Sequence, residues 1–162
     1  MKIRSIVKRF NFWQLIRLAF LMLQRPAFIF PTLYATSETM SICNELYGKA
    51  HHKNGVENAF RHALWNTLIC KKVYDSSSNV TKSIRWAEKV TDLHEKLAPN
   101  RPLATAMDLH NNRIGRSYFK DVKNDSQEEI ITFIREQLPY AKFVATIDEA
   151  DQYDEELVYI ER

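Results

Sequence analysis

Glycine, proline and cysteine are all scarce in this sequence. Three glycines and five prolines in 162 residues cannot supply the many tight turns that a sandwich or small barrel needs. Two cysteines, Cys43 and Cys70, are too few for a disulfide framework and match no metal-binding spacing. Both fall in apolar helical patterns, as small buried hydrophobes do, which suits a reducing compartment. An apolar run of about 18 residues, the minimum for a membrane-spanning helix, is also missing. "LIRLAFLML" follows the basic "KIRSIVKRF" as the core of a signal peptide would, but Arg17 interrupts it and no small-x-small cleavage site follows. The segment is expected neither to export the chain nor to span a bilayer.

What is present is ordinary for a folded domain: 45% hydrophobic and 27% charged residues. The formal charge of +3 is too small to point to nucleic acid. Charge is unevenly placed, however. Lys2, Arg4, Lys8, Arg9, Arg17 and Arg25 are met by no acidic residue before Ser37, whereas residues 148–162 carry seven acidic groups and one basic. A basic, aromatic start suits an anionic membrane surface or a protein partner. Mutual attraction of the two ends is the plainer account. The expected location is cytoplasmic, with peripheral attachment at the inner membrane as an extension; the oligomeric state is not legible.

Helical periodicity runs through most of the chain. Phe12 to Gln24 is apolar over most of its circumference, as in a helix that is buried or lies in a lipid interface. Pro26 and Pro31 are expected to interrupt it, before a helix from Leu33 to Tyr47 that stops at Gly48. Further helices are expected at Val56–Tyr74, at Val80–Leu97 behind an Ser78 or Asn79 cap and closed by Pro99, and at Pro102–Phe119. "SQEE" at Ser126–Glu129 is a capping box opening a helix to Leu138. "KFVATI" and "ELVYI" read as short strands of a small C-terminal hairpin. The fold class is mainly α: one multi-helix orthogonal bundle, with residues 1–32 a basic helical segment and 33–162 the helical domain.

Histidines stand on apolar stripes of three helices. His62 stacks with Asn58, Trp65, Asn66 and Ile69; His94 shares a stripe with Ile84, Ala87, Val90, Thr91 and Leu97; His110 lies among Leu103, Ala106, Met107 and Ile114. Acidic and amide groups accompany them: Glu95 beside His94, Asp108 two before His110, Asn111 and Asn112 after it. Two adjacent asparagines and Gly115 weaken a helix by roughly a kcal/mol relative to alanine, and buried amides need several partners. Such a cluster persists as a register-fixing network or as a preorganised site. The first predicts full internal pairing and the second an open cleft.

The site reading takes His62, His94 and His110 as imidazoles converging on one point. Glu95 and Asp108 orient or ligate, and Arg61, Trp65, Asn66, Asn111, Asn112 and Arg116 hold substrate. No serine or cysteine nucleophile stands out, so water is the attacker and the chemistry hydrolysis, of a phosphoester or lipid ester. Imidazole with carboxylate also suits a divalent metal, although "HEKLAP" lacks the second histidine of H-E-x-x-H; whether a metal binds stays open. The competing class is a non-enzymatic binding or scaffold module with the same residues as a polar core.

At "NGVENAFRHALWN", "DLHEK" and "MDLHNNRIGR" the chain resembles a small bacterial helical domain family of unknown function, over about Asn54 to Arg116, which lends no reaction. "FRHALWN" is similar to the Arg-His helix of prokaryotic phospholipase A2, but Ala63 follows His62 where that family has its calcium-ligating aspartate. The order His62, His94-Glu95, Asp108 is similar to the metal-dependent HD phosphohydrolases, but Glu95 replaces the aspartate of their doublet. Neither enzyme family is adopted.

Overall fold

A computed structural model describes residues 12–98 and 100–161; Lys2, Arg4, Lys8, Arg9 and the helix-closing Pro99 lie outside the described residues. The helices are α1 (Phe12–Gln24), α2 (Ile29–Tyr47), α3 (Val56–Ser77), α4 (Val80–Leu97), α5 (Pro102–Val122), α6 (Gln127–Gln137) and the single turn α7 (Ile147–Ala150). Two short strands, β1 (Lys142–Phe143) and β2 (Val158–Tyr159), complete a mainly α bundle.

Local chemistry sets most boundaries. Gly48, at φ +56°, ends α2 in a conformation that costs other residues energy, and its N–H meets the Asn44 carbonyl at 3.0 Å. Asn79 caps α4 by accepting the Lys82 N–H, and Ser126 with Glu129 forms the reciprocal capping box of α6. Pro26 and Pro31 do not separate α1 and α2 by a long break. Pro26 opens a 3-10 turn at Pro26–Phe28 and Pro31 sits in the first turn of α2, where a missing N–H has no helical partner to lose.

α3 is the centre of the bundle. Ala59, Phe60, Ala63, Leu64, Leu68, Ile69, Cys70 and Val73 along it are all but inaccessible, packed by α2, α4 and α5. Both cysteines are free and buried, and burial pushes each thiol up to about 12. Indoles tie α2 to its neighbours: Trp65 donates to Thr36 at 2.9 Å and Trp86 to Thr32 at 2.8 Å. α1 joins the same core through Leu21. Among the described residues no helix is long and apolar enough to cross a membrane.

α3 and α5 come together at Gly115. A methyl group there would stand 2.7 Å from the Ala63 Cα, closer than side chains pack, so only glycine permits this approach. The Thr67 hydroxyl bridges the contact, 2.8 Å from the Gly115 carbonyl and 2.9 Å from that of Ala63.

The C-terminal strands pair, but not as a hairpin. Lys142 aligns with Val158 and Phe143 with Tyr159 in parallel, so the chain must cross back between them, and α7 lies in that crossing. A second, small core of Met107, Val144, Ala150 and Val158 seals this segment to α5. Beyond β2 the chain reaches the turn before α3: the N–H groups of Ile160 and Glu161 donate to the Asn54 carbonyl, and the Asn54 amide donates to the Glu161 carboxylate at 2.7 Å.

Candidate functional site: a buried His–Glu–Asp cluster

The close approach of α3 and α5 brings polar side chains one turn away into a single layer, and α4 closes it. Arg116 fixes the direction of every hydrogen bond in that layer, because a guanidinium only donates. Its Nη1 donates to Asn66 Oδ1 at 3.1 Å, with the Thr91 hydroxyl 3.2 Å from the same oxygen. The amide nitrogen of Asn66 therefore faces Asn112. Its Nδ2 donates to Asn112 Oδ1 at 2.7 Å and to the His62 carbonyl at 3.1 Å. Asn112 Nδ2 then donates to Glu95 Oε1 at 3.2 Å.

Asn112 Oδ1 also lies 3.0 Å from His62 Nδ1. Since that oxygen accepts, Nδ1 carries the imidazole proton and Nε2 does not; the tautomer is assigned by the network. Arg61 Nη2 donates to the bare Nε2 at 2.8 Å. Asp108 Oδ1 also stands 3.1 Å from this nitrogen.

Burial shapes the ionisation of all these groups. His62 is 2% exposed, and burial, with the Arg61 charge adding to it, holds its pKa well below the ordinary histidine value. The imidazole is neutral, so its short contacts to Asp108 and Glu95 are not ion pairs. Burial raises Glu95 to about 7, with Asp108 adding to the rise, and raises Asp108 to about 6 against the pull of Arg61. Both carboxyls thus exchange protons near neutrality. One donor atom from each of His62, Glu95 and Asp108 lies within 4.8 Å of the others, so these three residues are placed to hold a metal ion.

Pairing is incomplete. Asp108 Oδ1, Arg61 Nε and Asn58 Oδ1 are buried without a hydrogen-bond partner. The full pairing expected of a purely structural network is therefore not met. An open cleft is not met either, with Glu95 and Asp108 7% and 5% exposed. Arg61, Trp65 and His94 are half-buried beside the cluster.

The three imidazoles do not converge. His94 stands edge-on to Trp65, ring centroids 5.1 Å apart, and burial followed by the Arg61 charge lowers it to about 4. It borders the cluster without a bond into it. His110 is directed elsewhere, its Nε2 2.8 Å from the Glu156 carbonyl. Positions two apart on a helix point about 200° from one another; with Asp108 turned to His62, His110 must face away. Asn111 likewise serves the fold, donating to the Val158 carbonyl at 2.8 Å and accepting the Val158 N–H at 2.9 Å. Trp65 is held by Thr36, and Arg116 reaches Glu88 at 3.8 Å.

Thr91 lies by its spacing on an apolar stripe, yet it touches both Asn66 and Arg116. Its place one turn before Glu95 on the same face was the available signal. Asn100, whose side chain hydrogen-bonds Asp108, lies between helices and gave none.

Residues 19–142 match the family model described as a domain of unknown function, DUF6973. The chain belongs to that family. No curated protein and no solved structure matches it. Membership in DUF6973 covers α2 through α6 and so includes every residue of the cluster.

Proposed function

We propose that this DUF6973 domain is a hydrolase whose reaction centre is the His62–Glu95–Asp108 cluster, acting on a phosphoester or lipid ester. One observation carries the reading: a neutral imidazole with a bare Nε2 is held against two carboxyls that titrate near neutral pH. General acid–base catalysis is most effective with groups of such pKa. A water entering beside Asp108 loses its proton to the cluster as its oxygen attacks phosphorus or the acyl carbon. Arg61 balances the charge of the oxyanion, and a protonated carboxyl returns a proton to the leaving oxygen.

The test is turnover of bis(p-nitrophenyl) phosphate and p-nitrophenyl butyrate by the full chain and by His62→Ala and Asp108→Asn. Hydrolysis of one ester that falls at least 100-fold in both folded variants supports the reading. Absence of turnover, or equal turnover by the variants, rejects it. The burial of the cluster favours a second reading, a scaffold module whose polar core fixes helix register; it predicts variants that lose stability and no turnover in any form.

The α1–α2 face supports attachment to an anionic membrane surface. Phe20, Leu23, Phe30 and Tyr34 are about two-thirds exposed or more. Arg25, Lys82, Arg85 and Lys89 line an adjoining groove of about 610 Å³. Exposed aromatic and aliphatic groups beside cations suit a lipid interface. Cosedimentation with phosphatidylserine vesicles, lost in Phe20→Ser/Leu23→Ser, is the expected result; no sedimentation by the full chain at low salt removes this attachment.

A further inference from the structure

We infer that His62 Nε2, a Glu95 oxygen and Asp108 Oδ1 form a binding site for one divalent transition-metal ion, with the Arg61 guanidinium standing in for the cation when none is bound. This inference rests on the same cluster as the proposed hydrolase, but not on turnover.

Directionality supplies the first support. With the proton on Nδ1, Nε2 and the ionised Asp108 Oδ1 are two acceptors 3.1 Å apart. Two acceptors so close repel unless a cation, or a proton held on the carboxyl, lies between them. Arg61 reaches the nitrogen only, and Asp108 Oδ1 keeps no hydrogen-bond partner in an aspartate that is 5% exposed. An unmatched carboxylate oxygen in that position costs free energy, which a shared cation would recover.

The Nε2–Oδ1 spacing fits as well, and a Glu95 oxygen belongs to the same 4.8 Å cluster of donor atoms. Zinc binds nitrogen and oxygen ligands at about 2.0–2.2 Å, which puts neighbouring ligands about 2.9–3.4 Å apart, depending on coordination number. The Nε2–Oδ1 distance falls in that interval. One imidazole and two carboxylates suit zinc, manganese or iron(II) better than the all-oxygen sets of calcium or magnesium. Asn112 provides the outer support such sites use: it accepts from the imidazole Nδ1 and donates to the ligating carboxylate of Glu95, fixing both orientations. Asn66 and Arg116 extend that support outward. Three protein ligands leave further positions for water or substrate.

Arg61 cannot keep its bond to Nε2 once a metal takes that lone pair. A guanidinium released from Nε2 is then free to pair with an anionic group instead. Removing it should therefore tighten metal binding, the reverse of what loss of a structural residue does.

Isothermal titration of chelator-treated full-length protein with Zn²⁺ and Mn²⁺ tests this. One equivalent should bind, at least 10-fold more weakly in Glu95→Gln and Asp108→Asn and more tightly in Arg61→Gln, with circular dichroism reporting that each variant folds. Should a carboxylate variant fail to fold, the wild-type stoichiometry and Arg61→Gln still decide. No binding by the wild type overturns the site. Equal affinity in all folded variants overturns it too, and points to metal held elsewhere. Stoichiometric metal without hydrolysis removes the hydrolase and keeps the site; hydrolysis by metal-free protein keeps the hydrolase and removes the need for metal.

Discussion

Gly115 and Ala63 touch backbone to backbone, and that contact sets the depth at which Asn112 and Asp108 meet His62. A β-carbon on residue 115 would lie 2.7 Å from the Ala63 Cα. Gly115→Ala is expected to push α3 and α5 apart and destabilise the domain by about 1–3 kcal/mol, the usual cost of overpacking. Urea denaturation measures it. A neutral or stabilising result, as a gain in helix propensity alone would give, contradicts the close approach.

Asn112 is the joint between imidazole and carboxylate. Asn112→Asp keeps its shape but replaces the Nδ2 donor with an oxygen facing Glu95 Oε1, now 3.2 Å from that nitrogen. A donor lost from a buried pair costs about 1–3 kcal/mol, and the repulsion between two carboxyls adds to it. Thermal melts at pH 8 should show a clear loss that shrinks at pH 5, where the carboxyls take up protons. A pH-independent loss would assign the damage to packing instead.

His110 and Asn111 are expected to matter for the fold alone. Asn111→Leu strands the N–H and C=O of Val158 and should cost about 1–3 kcal/mol, with faster hydrogen exchange at Val158. His110→Gln should leave both turnover and metal affinity at the wild-type level. A 10-fold fall in either, with the melting temperature unchanged, would return His110 to the site.

His51 predicts an acid limit to stability. It is fully buried, and burial, with the neighbouring His52 and Arg61 charges adding, lowers it to about 4. The unfolded chain takes up this proton near pH 6.5, so between about 6.5 and 4 the unfolded state binds more protons than the native one. The contribution is whole above pH 6.5 and is lost as pH falls toward 4. His51→Gln should flatten this part of the stability-against-pH curve; an unchanged slope would show that His51 is already protonated in the native state.

Helix positions were legible because caps and apolar spacing are local: α1 and α4 begin and end where the sequence predicts, and the Ser126–Glu129 box forms. The proline segment misled because proline stops a helix only beyond its first turn, and Pro31 lies within one. A hairpin does not form because Thr146 and Ile147, at the end of the strand-like run "KFVATI", cap and open α7 instead, and α7 carries the chain across to a parallel partner. His62, Glu95 and Asp108 were each singled out by polarity on an apolar face. His110 carried the same mark, but α5 is covered on two sides, and periodicity alone does not say which cover a residue meets. The bond directions that leave Nε2 without a proton needed coordinates, since they originate at Arg116 and cross repeatedly between α5 and α3.

The clasp between Asn111 and Val158 joins positions 47 apart in the chain. During synthesis, α5 leaves the ribosome well before β2, and until β2 arrives the Asn111 amide has no mate. The turn at Asn54 that leads into α3 waits still longer, for Ile160 and Glu161. A nascent chain halted before these residues carries every residue of the His–Glu–Asp cluster without the strap that anchors its frame, so the frame closes only with a segment that contributes no atom to the site.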